Sequence, residues 1–400
     1  MKLLVSNVGS TSLKFKLFEM PEETILCEGK VERVGSLDSG IFSYTNRLNG
    51  AKKYLADLKI PTYADGIRLF LSHMTDVDDG VVTSVQEIES IGFKTVLSRG
   101  YYGVHELTQE VMDGMKECLF VAPVHNAAYI EAIDQFRTIL PDTRMVGVFE
   151  TAFHTTIPKE RRIYAVPYEW YEDYGLMKMG YHGASHGYIA EQARRQGKAD
   201  YIISCHLGGS CSICAIKDGK SVDNSFGYSL QTGVMHANRC GDVDPYMVPF
   251  LESKGISKEK ILEGLSKRGG LLGLSGVSND LREVQEAANQ GNERAQLAIN
   301  VFVNQIVRYI GSYYAELGGL DQLVFTGGIG ENSALIRLKV CQALQHFGIM
   351  IDQAANENCR EGIISAEESR VLASVIPANE ELGIARQTFR CIQTACKASE

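Results

Sequence analysis

The stretch Leu3-Leu4-Val5-Ser6-Asn7-Val8-Gly9-Ser10-Thr11-Ser12-Leu13-Lys14-Phe15-Lys16-Leu17-Phe18 decides how the chain is read. Leu3, Leu4 and Val5 form a short apolar run. Leu13, Phe15 and Leu17 alternate with Lys14 and Lys16. Both patterns predict β-strands, the second with one polar face. Between them Gly9 permits a backbone turn that a Cβ would oppose. The small hydroxyl residues around it let N–H and O–H groups converge on an anion. No GxxxxGK[ST] follows the strand, so this is not a Walker A loop. Taken alone, an ordinary hairpin turn would account for it equally well.

The pattern recurs. Tyr201 to Asp218 reads as an apolar strand, a Gly208-Gly209-Ser210 tip, and a second strand with alternating Ser212, Ile213, Cys214, Ala215 and Ile216. A looser third copy runs from Leu323-Val324-Phe325 into Thr326-Gly327-Gly328-Ile329-Gly330-Glu331-Asn332. Two strand–glycine–strand units about two hundred residues apart predict a duplicated α/β domain with a cleft between the halves.

Composition agrees with that organisation. A chain of 400 residues exceeds one core. The hydrophobic fraction of 44% and charged fraction of 22% are those of a globular protein. A net charge of −9 argues against nucleic acid or an anionic membrane as partner. No apolar run reaches membrane-span length, and the N-terminus enters a strand without a signal-like h-region, so the cytoplasm is the expected compartment. The 10 cysteines form no framework, so reduced thiols are expected. Cys211 and Cys214 make a lone CxxC on a strand, where i and i+3 face opposite ways, which favours a structural role. His182 and His186 have i, i+4 spacing but lack the glutamate of a zincin motif.

Further strands are expected at Ile25 to Arg33, Lys94 to Leu97, Met145 to Phe149 and Ser374 to Ile376, with a hairpin over Phe42 to Tyr54 turning at Asn49-Gly50. Tyr63 to His73, Leu107 to Cys118, Ser185 to Arg195 and Glu293 to Leu317 have helical spacing, as does the final stretch from Glu381. Leu297, Val301, Phe302, Ile306, Ile310 and Tyr313 form the apolar stripe of the long helix. Ala122 to Asn126 is expected to turn before a helix, and Lys220 to Gly233 to be irregular. Arg239, Asp242 and Asp244 crowd one turn, where a solvated loop with a local salt bridge is the plain alternative to a functional cluster. A helix from Ser333 directly after the third glycine loop would offer its N-terminus to a phosphate. Glu150 stands at the carboxyl end of a buried strand, where ligands of α/β sheets collect.

With these pieces assembled, the chain resembles the acetate kinase (acetokinase) family of the actin/hexokinase/heat-shock-ATPase superfamily, nearly end to end. The carriers are Asn7–Phe15 (NVGSTSLKF), Ala122–Asn126 (APVHN), Phe149–His154 (FETAFH), Gly180–His186 (GYHGASH), His206–Ser210 (HLGGS), Arg239–Pro245 (RCGDVDP), Asp280–Arg282 (DLR), Gly327–Asn332 (GGIGEN) and Asn379–Glu381 (NEE). The resemblance implies two ribonuclease-H-like domains, an acceptor-side domain of residues 1–150 plus 385–400 and a nucleotide-binding domain of 151–384, paired as a homodimer. It implies an ATP- and Mg²⁺- (or Mn²⁺-) dependent kinase that phosphorylates a short carboxylic acid, acetate by default, reversibly.

By the same resemblance Asn7 and Glu380 hold the metal. Lys14, His206, Leu207, Gly208, Gly209, Ser210, Asp280, Leu281, Arg282, Gly328, Ile329, Gly330, Glu331 and Asn332 contact the nucleotide. Glu150, Arg239, His182 and His125 serve the transfer, and Lys94, Val96, Val124 and Tyr181 line the acceptor site. The chemistry is consistent with these roles: transfer to a carboxylate needs positioning and charge neutralisation, and a carboxylate is already ionised at neutral pH. Glu150 is therefore expected to position a metal rather than act as a base.

The departures cluster on the acceptor side. Lys94 stands where the family has an arginine, with Arg99 five residues on as a possible substitute. Glu150 replaces an aspartate, Gly209 an asparagine, Tyr181 a phenylalanine, Leu230 a proline and Thr232 a glutamate. These leave two alternatives to acetate kinase activity: a non-catalytic nucleotide-binding homologue, or a kinase for another acid such as propionate. A sugar kinase of the same superfamily would instead need Glu150 as a base.

Overall fold

The computed structural model describes residues 1–9, 11–120, 123–196 and 199–398; at 120, 123–125 and 395–398 it describes the backbone alone. The chain divides into two compact units, residues 1–152 with 379–400, and residues 153–378.

Unit 1 is built on strands β1 (Lys2–Gly9), β2 (Ser12–Glu19), β3 (Thr24–Glu32), β4 (Ser36–Asn46), β5 (Lys52–Ile60), β6 (Ser90–Thr95), β7 (Val104–Glu106) and β8 (Arg144–Phe149). They form one sheet in the order β5-β4-β3-β2-β1-β6-β8-β7. The first five strands are joined as antiparallel hairpins, and β1, β6 and β8 run parallel. Phe15 on β2 stacks on Phe70 of the helix Tyr63–Met74, with ring centroids 4.4 Å apart. Phe93 on β6 meets Phe136 of the helix Pro123–Ile139 edge-on at 5.4 Å. The helix Glu380–Ala398 packs on β1, β6 and β8.

Unit 2 repeats the plan. Strands β9 (Tyr201–Leu207), β10 (Cys211–Lys217), β11 (Lys220–Asn224), β12 (Gln322–Thr326), β13 (Gly362–Ile363) and β14 (Leu372–Val375) are ordered β11-β10-β9-β12-β14-β13. β9, β10 and β11 are antiparallel, and β9, β12 and β14 parallel. The run β3-β2-β1-β6-β8 of unit 1 thus has the same order and orientation as β11-β10-β9-β12-β14. This is the duplication expected from the paired glycine hairpins and the ribonuclease-H-like plan that the family resemblance implies.

Alternation along the central strands feeds two cores. Cys211, Ile213 and Ala215 of β10, with Leu323 and Phe325 of β12, join the cluster under the long helix Glu293–Leu317. Cys214, Ile216 and Val324 face the other way, against Ile189, Ala190 and Ala193 of the helix Gly183–Gln196. Cys211 and Cys214 therefore lie on opposite faces of one sheet. Both are buried free thiols, and their spacing cannot form a two-cysteine site.

Several local expectations differ from the structure. The strand expected at Lys94 to Leu97 lies earlier, at Ser90–Thr95, so Val96 and Leu97 follow it. Lys220–Asn224 is a strand, not irregular: the side chains of Ser221, Asp223 and Asn224 are buried and hydrogen-bonded, so polarity there did not signal solvent. Ala122 and the tip residue Ser10 lie outside the described residues, but the backbone is already helical at Pro123, where a missing N–H costs nothing. The third glycine stretch opens no second strand, because Gly327–Asn332 is itself helical. Leu297 is 53% exposed, and Ala298 takes the buried position beside it. The chain returns to unit 1 at Asn379, whose side chain caps the last helix at Leu382 N–H. Glu380 thus belongs with Glu150, whereas the sequence-based boundary at 385 put it in the other half.

Candidate active site

In unit 1, parallel pairing sets Lys94 opposite Val148 and Thr95 opposite Phe149. Glu150 is the next residue after β8, anchored by its N–H on the Thr95 carbonyl at 2.9 Å. Glu380 opens the C-terminal helix that packs on these strands. Three charged residues far apart in sequence therefore converge. Lys94 Nζ lies 2.8 Å from Glu150 Oε1 and 2.7 Å from Glu380 Oε2. Glu150 is buried, and Lys94 and Glu380 are nearly so. Burial alone would push the ammonium toward neutrality, but the Glu150 and Glu380 charges outweigh it and hold it well above the usual lysine range.

The Tyr129 hydroxyl donates to Asn7 Oδ1 at 3.2 Å and accepts from Val8 N–H at 3.3 Å. Burial raises the phenol's pKa, so it stays a neutral donor. Lys14 pairs with Asn7 across the hairpin and is exposed. Val96 is buried just past β6. Arg99 is at the surface in a 2.8 Å pair with Glu117. The side chains of Val124 and His125 lie outside the described residues.

In unit 2, Gly180 and His182 both take left-handed backbone conformations, at φ +71° and +59°. A Cβ on Gly180 would strike the His154 ring at 2.7 Å, so the turn requires glycine there. The turn delivers His182 into a buried network. Its Nδ1 bonds Ser212 Oγ at 2.8 Å; Ser212 also bonds His186 Nε2 at 2.8 Å, and His186 Nδ1 bonds Ser204 Oγ at 2.9 Å. The His206 ring lies 4.1 Å from that of His182, with Nδ1 on Ser185 Oγ at 2.8 Å. His154 is held by Ser221 Oγ and the Tyr181 carbonyl. Burial pushes His154 down to about 3 and holds His186 well below the usual histidine range, so both are neutral at pH 7. Tyr181 is buried, its hydroxyl donating to the Tyr228 carbonyl at 2.7 Å.

Arg239 differs from the other cations. It is partly buried, and Nη1 donates to the Leu230 carbonyl at 2.6 Å. It makes no ion pair among the described residues, so the alternative of a local salt bridge in its turn does not hold there. Asp242 instead accepts from Gly233 N–H and the Tyr309 hydroxyl. Burial lowers the guanidinium's pKa.

The glycine motifs of unit 2 also meet. Gly327, at φ +76°, lies so close to Leu207 that a Cβ would come within 2.7 Å of its carbonyl oxygen. This packing brings Leu207–Ser210 beside Gly328–Asn332. Gly209 and Gly328 face open space, with nothing within 4 Å of an added Cβ. Glu331 turns back to accept from Gly327 N–H at 2.9 Å and Ala378 N–H at 3.0 Å, so the first turn of this helix is capped by its own carboxylate. The following helix, Ala334–Ala343, is capped by Ser333. Asn332 donates to the Gly328 carbonyl at 2.8 Å. Asp280 caps the helix Leu281–Asn289 and grips the exposed Arg282, which draws its carboxyl down to about 2.

Sequence reasoning missed the supporting residues: Ser204, Ser212, Ser221, Tyr129 and Arg337. The buried Arg337 donates to the Gly330 and Glu331 carbonyls and anchors the glycine helix from behind. The signal for Ser204 and Ser212 was present. A lone hydroxyl at an inward position of an otherwise apolar strand must be hydrogen-bonded inside.

For a divalent cation, Glu150, Glu380 and Asn7 provide the hard oxygen donors that magnesium prefers. The ammonium bridging the two carboxylates shows that this position demands positive charge, so the donor set fits such an ion. Among the described residues, no group of three or more His, Cys, Asp or Glu side chains converges as a metal cluster. No helix among them is long and apolar enough to cross a membrane.

Comparison with known proteins agrees with the geometry. A model described as the Acetokinase family matches residues 2–386. The acetate kinase of Shouchella clausii is 43% identical over 97% of this chain and 99% of its own length. That of Treponema denticola is 42% identical over 98% of this chain and 100% of its own. The crystal structure of Porphyromonas gingivalis acetate kinase superposes with a TM-score of 0.87 at 39% identity, covering 98% of this chain and 99% of the other. A propionate kinase from Francisella tularensis gives 0.88 at 34% identity, covering 97% and 99%. The chain belongs to the acetokinase family, and with it to the carboxylate kinases.

Proposed function

We propose that the protein transfers the terminal phosphoryl group of ATP to a short carboxylic acid, acetate first among them, giving an acyl phosphate and ADP in a reversible reaction. The observation that carries this reading is Arg239. A guanidinium held where burial penalises its charge, with one backbone acceptor and no carboxylate among the described residues, is built to receive an anion. Its planar fork suits a phosphoryl or carboxylate group.

Each residue then has a task. The acceptor acid is ionised at neutral pH, so no base is needed to generate the nucleophile. Arg239 and His182 donate charge-assisted or directed hydrogen bonds to the equatorial oxygens of the moving group, and His125 is assigned the same work in unit 1. Ser212 and the neutral His186 fix the ring of His182. Lys14, His206–Ser210, Asp280–Arg282 and Gly328–Asn332 receive the nucleotide, a role supported by the uncrowded backbone at Gly209 and Gly328. By family membership Val96, Val124 and Tyr181 are assigned to recognition of the acid.

Glu150, Glu380 and Asn7 would hold Mg²⁺ or Mn²⁺, which when bound neutralises phosphate charge. By family membership we further assign the protein to the cytoplasm as a homodimer, which sedimentation at micromolar concentration checks.

Hydroxylamine trapping across formate, acetate, propionate and butyrate, with ATP and Mg²⁺, tests the reading. Hydroxamate with acetate or propionate is expected. No hydroxamate with any acid, despite nucleotide binding, would favour a non-catalytic homologue.

A further inference from the structure

We propose that Lys94 is an internal counter-ion for the metal-holding carboxylates, not the grip for the acceptor acid. Its ammonium holds Glu150 and Glu380 together while no divalent cation is bound, and shares or yields that place when one arrives. The proposal rests on the carboxylate-kinase reading only for the identity of the cation.

Three observations carry it. First, the ammonium is already committed: two of its three N–H donors are accounted for by Glu150 Oε1 at 2.8 Å and Glu380 Oε2 at 2.7 Å. An acceptor carboxylate at the same nitrogen would be a third anion around one cation. Second, the bridge is built into the fold. β6 and β8 are parallel neighbours, Glu150 is pinned to the Thr95 carbonyl, and Glu380 starts the helix packed on both strands. Lys94 therefore meets these carboxylates by construction. Third, the charge balance has a consequence. Lys94 with two carboxylates sums to −1; adding a divalent cation brings the group to +1, which admits one further anion. Without Lys94 the same pair sums to −2 before the metal and zero after it. The lysine thus weakens the metal's hold while keeping the empty site foldable.

The test uses the purified full-length protein without nucleotide. Thermal unfolding is followed in EDTA and over a Mn²⁺ titration, and Mn²⁺ affinity is read independently from the electron paramagnetic resonance signal of unbound Mn²⁺. The native protein is expected to show a small metal-dependent shift. Lys94→Met is expected to melt several degrees lower in EDTA, to recover with Mn²⁺, and to bind it about tenfold more tightly, since a repelling cation is gone. Lys94→Arg keeps the charge and should keep the native affinity.

A Lys94→Met variant with native Mn²⁺ affinity and native metal response, but a raised acetate KM, would overturn the proposal and restore the grip. Should Lys94→Met not fold, Glu150→Gln decides: it leaves Lys94 paired with Glu380, so it should stay folded in EDTA and bind Mn²⁺ about tenfold more weakly. Undiminished affinity there contradicts the proposal. Failure of the kinase reading shows separately, as absent hydroxamate from the native protein.

Discussion

The two units share a five-strand plan and differ in how they treat charge. In unit 1 the ends of β6 and β8 and the start of the C-terminal helix bring a lysine and two glutamates into contact, each carboxylate within 3 Å of the ammonium. In unit 2 the residues before and within the equivalent hairpin build a buried histidine–serine network, and Arg239 beyond it keeps a backbone carbonyl as its only acceptor among the described residues. One scaffold thus holds a paired charge cluster with an excess carboxylate in one copy and an anion-seeking cation in the other. Duplication supplied the frame, and the side chains at the strand ends divided the chemistry.

The sharpest way to break this contrast is at Arg239. Arg239→Ala should lower kcat/KM for acyl phosphate formation by about 10³-fold, as loss of a strong donor to developing charge does. Circular dichroism should be unchanged. Arg239→Lys should recover only part, since an ammonium lacks the fork.

The neutral network makes a prediction in pH. His154 ionises near the ordinary 6.5 when unfolded but only near 3 when folded. The unfolded chain therefore takes up the proton first. The stability this provides is complete above pH 6.5 and is lost as pH falls toward 3. Between pH 6.5 and 5 the loss should be about 2 kcal/mol, read from urea midpoints. His154→Gln should flatten that slope.

Smaller again is Ser212→Ala, which removes the hydroxyl between His182 and His186. A kcat about tenfold lower with nearly unchanged KM values is expected, equivalent to about 1.4 kcal/mol. An equal rise in KM would mean the serine only shapes the pocket. The smallest effect belongs to Arg99→Ala. Its pair with Glu117 is exposed on both sides, so neither the melting temperature nor the acetate KM should move measurably. A large rise in that KM would make Arg99 the acceptor grip after all.

Much of this was legible in the sequence, for identifiable reasons. The hairpins at Gly9 and Gly208 combine alternation with a turn residue, and both strand pairs form as read. Glu150 at a strand end was found because a charge closing a buried apolar run is conspicuous. What escaped reading depends on partners distant in sequence. Lys220–Asn224 looks like a loop because its polar groups find His154, Lys178 and the backbone only after folding. The Gly327 stretch looks like a turn because propensity disfavours glycine in helices, while packing against Leu207 demands it. Lys94 reads as an available cation until Glu380, 286 positions away, is placed beside it.

The most direct measurement is a calorimetric titration of acetyl phosphate into the native protein and into Arg239→Met. The account predicts saturable binding to the native protein and at least about tenfold weaker binding to the variant, with its melting temperature unchanged. Binding of equal strength to both would show that the anion is received elsewhere and would contradict the division of charge between the two units.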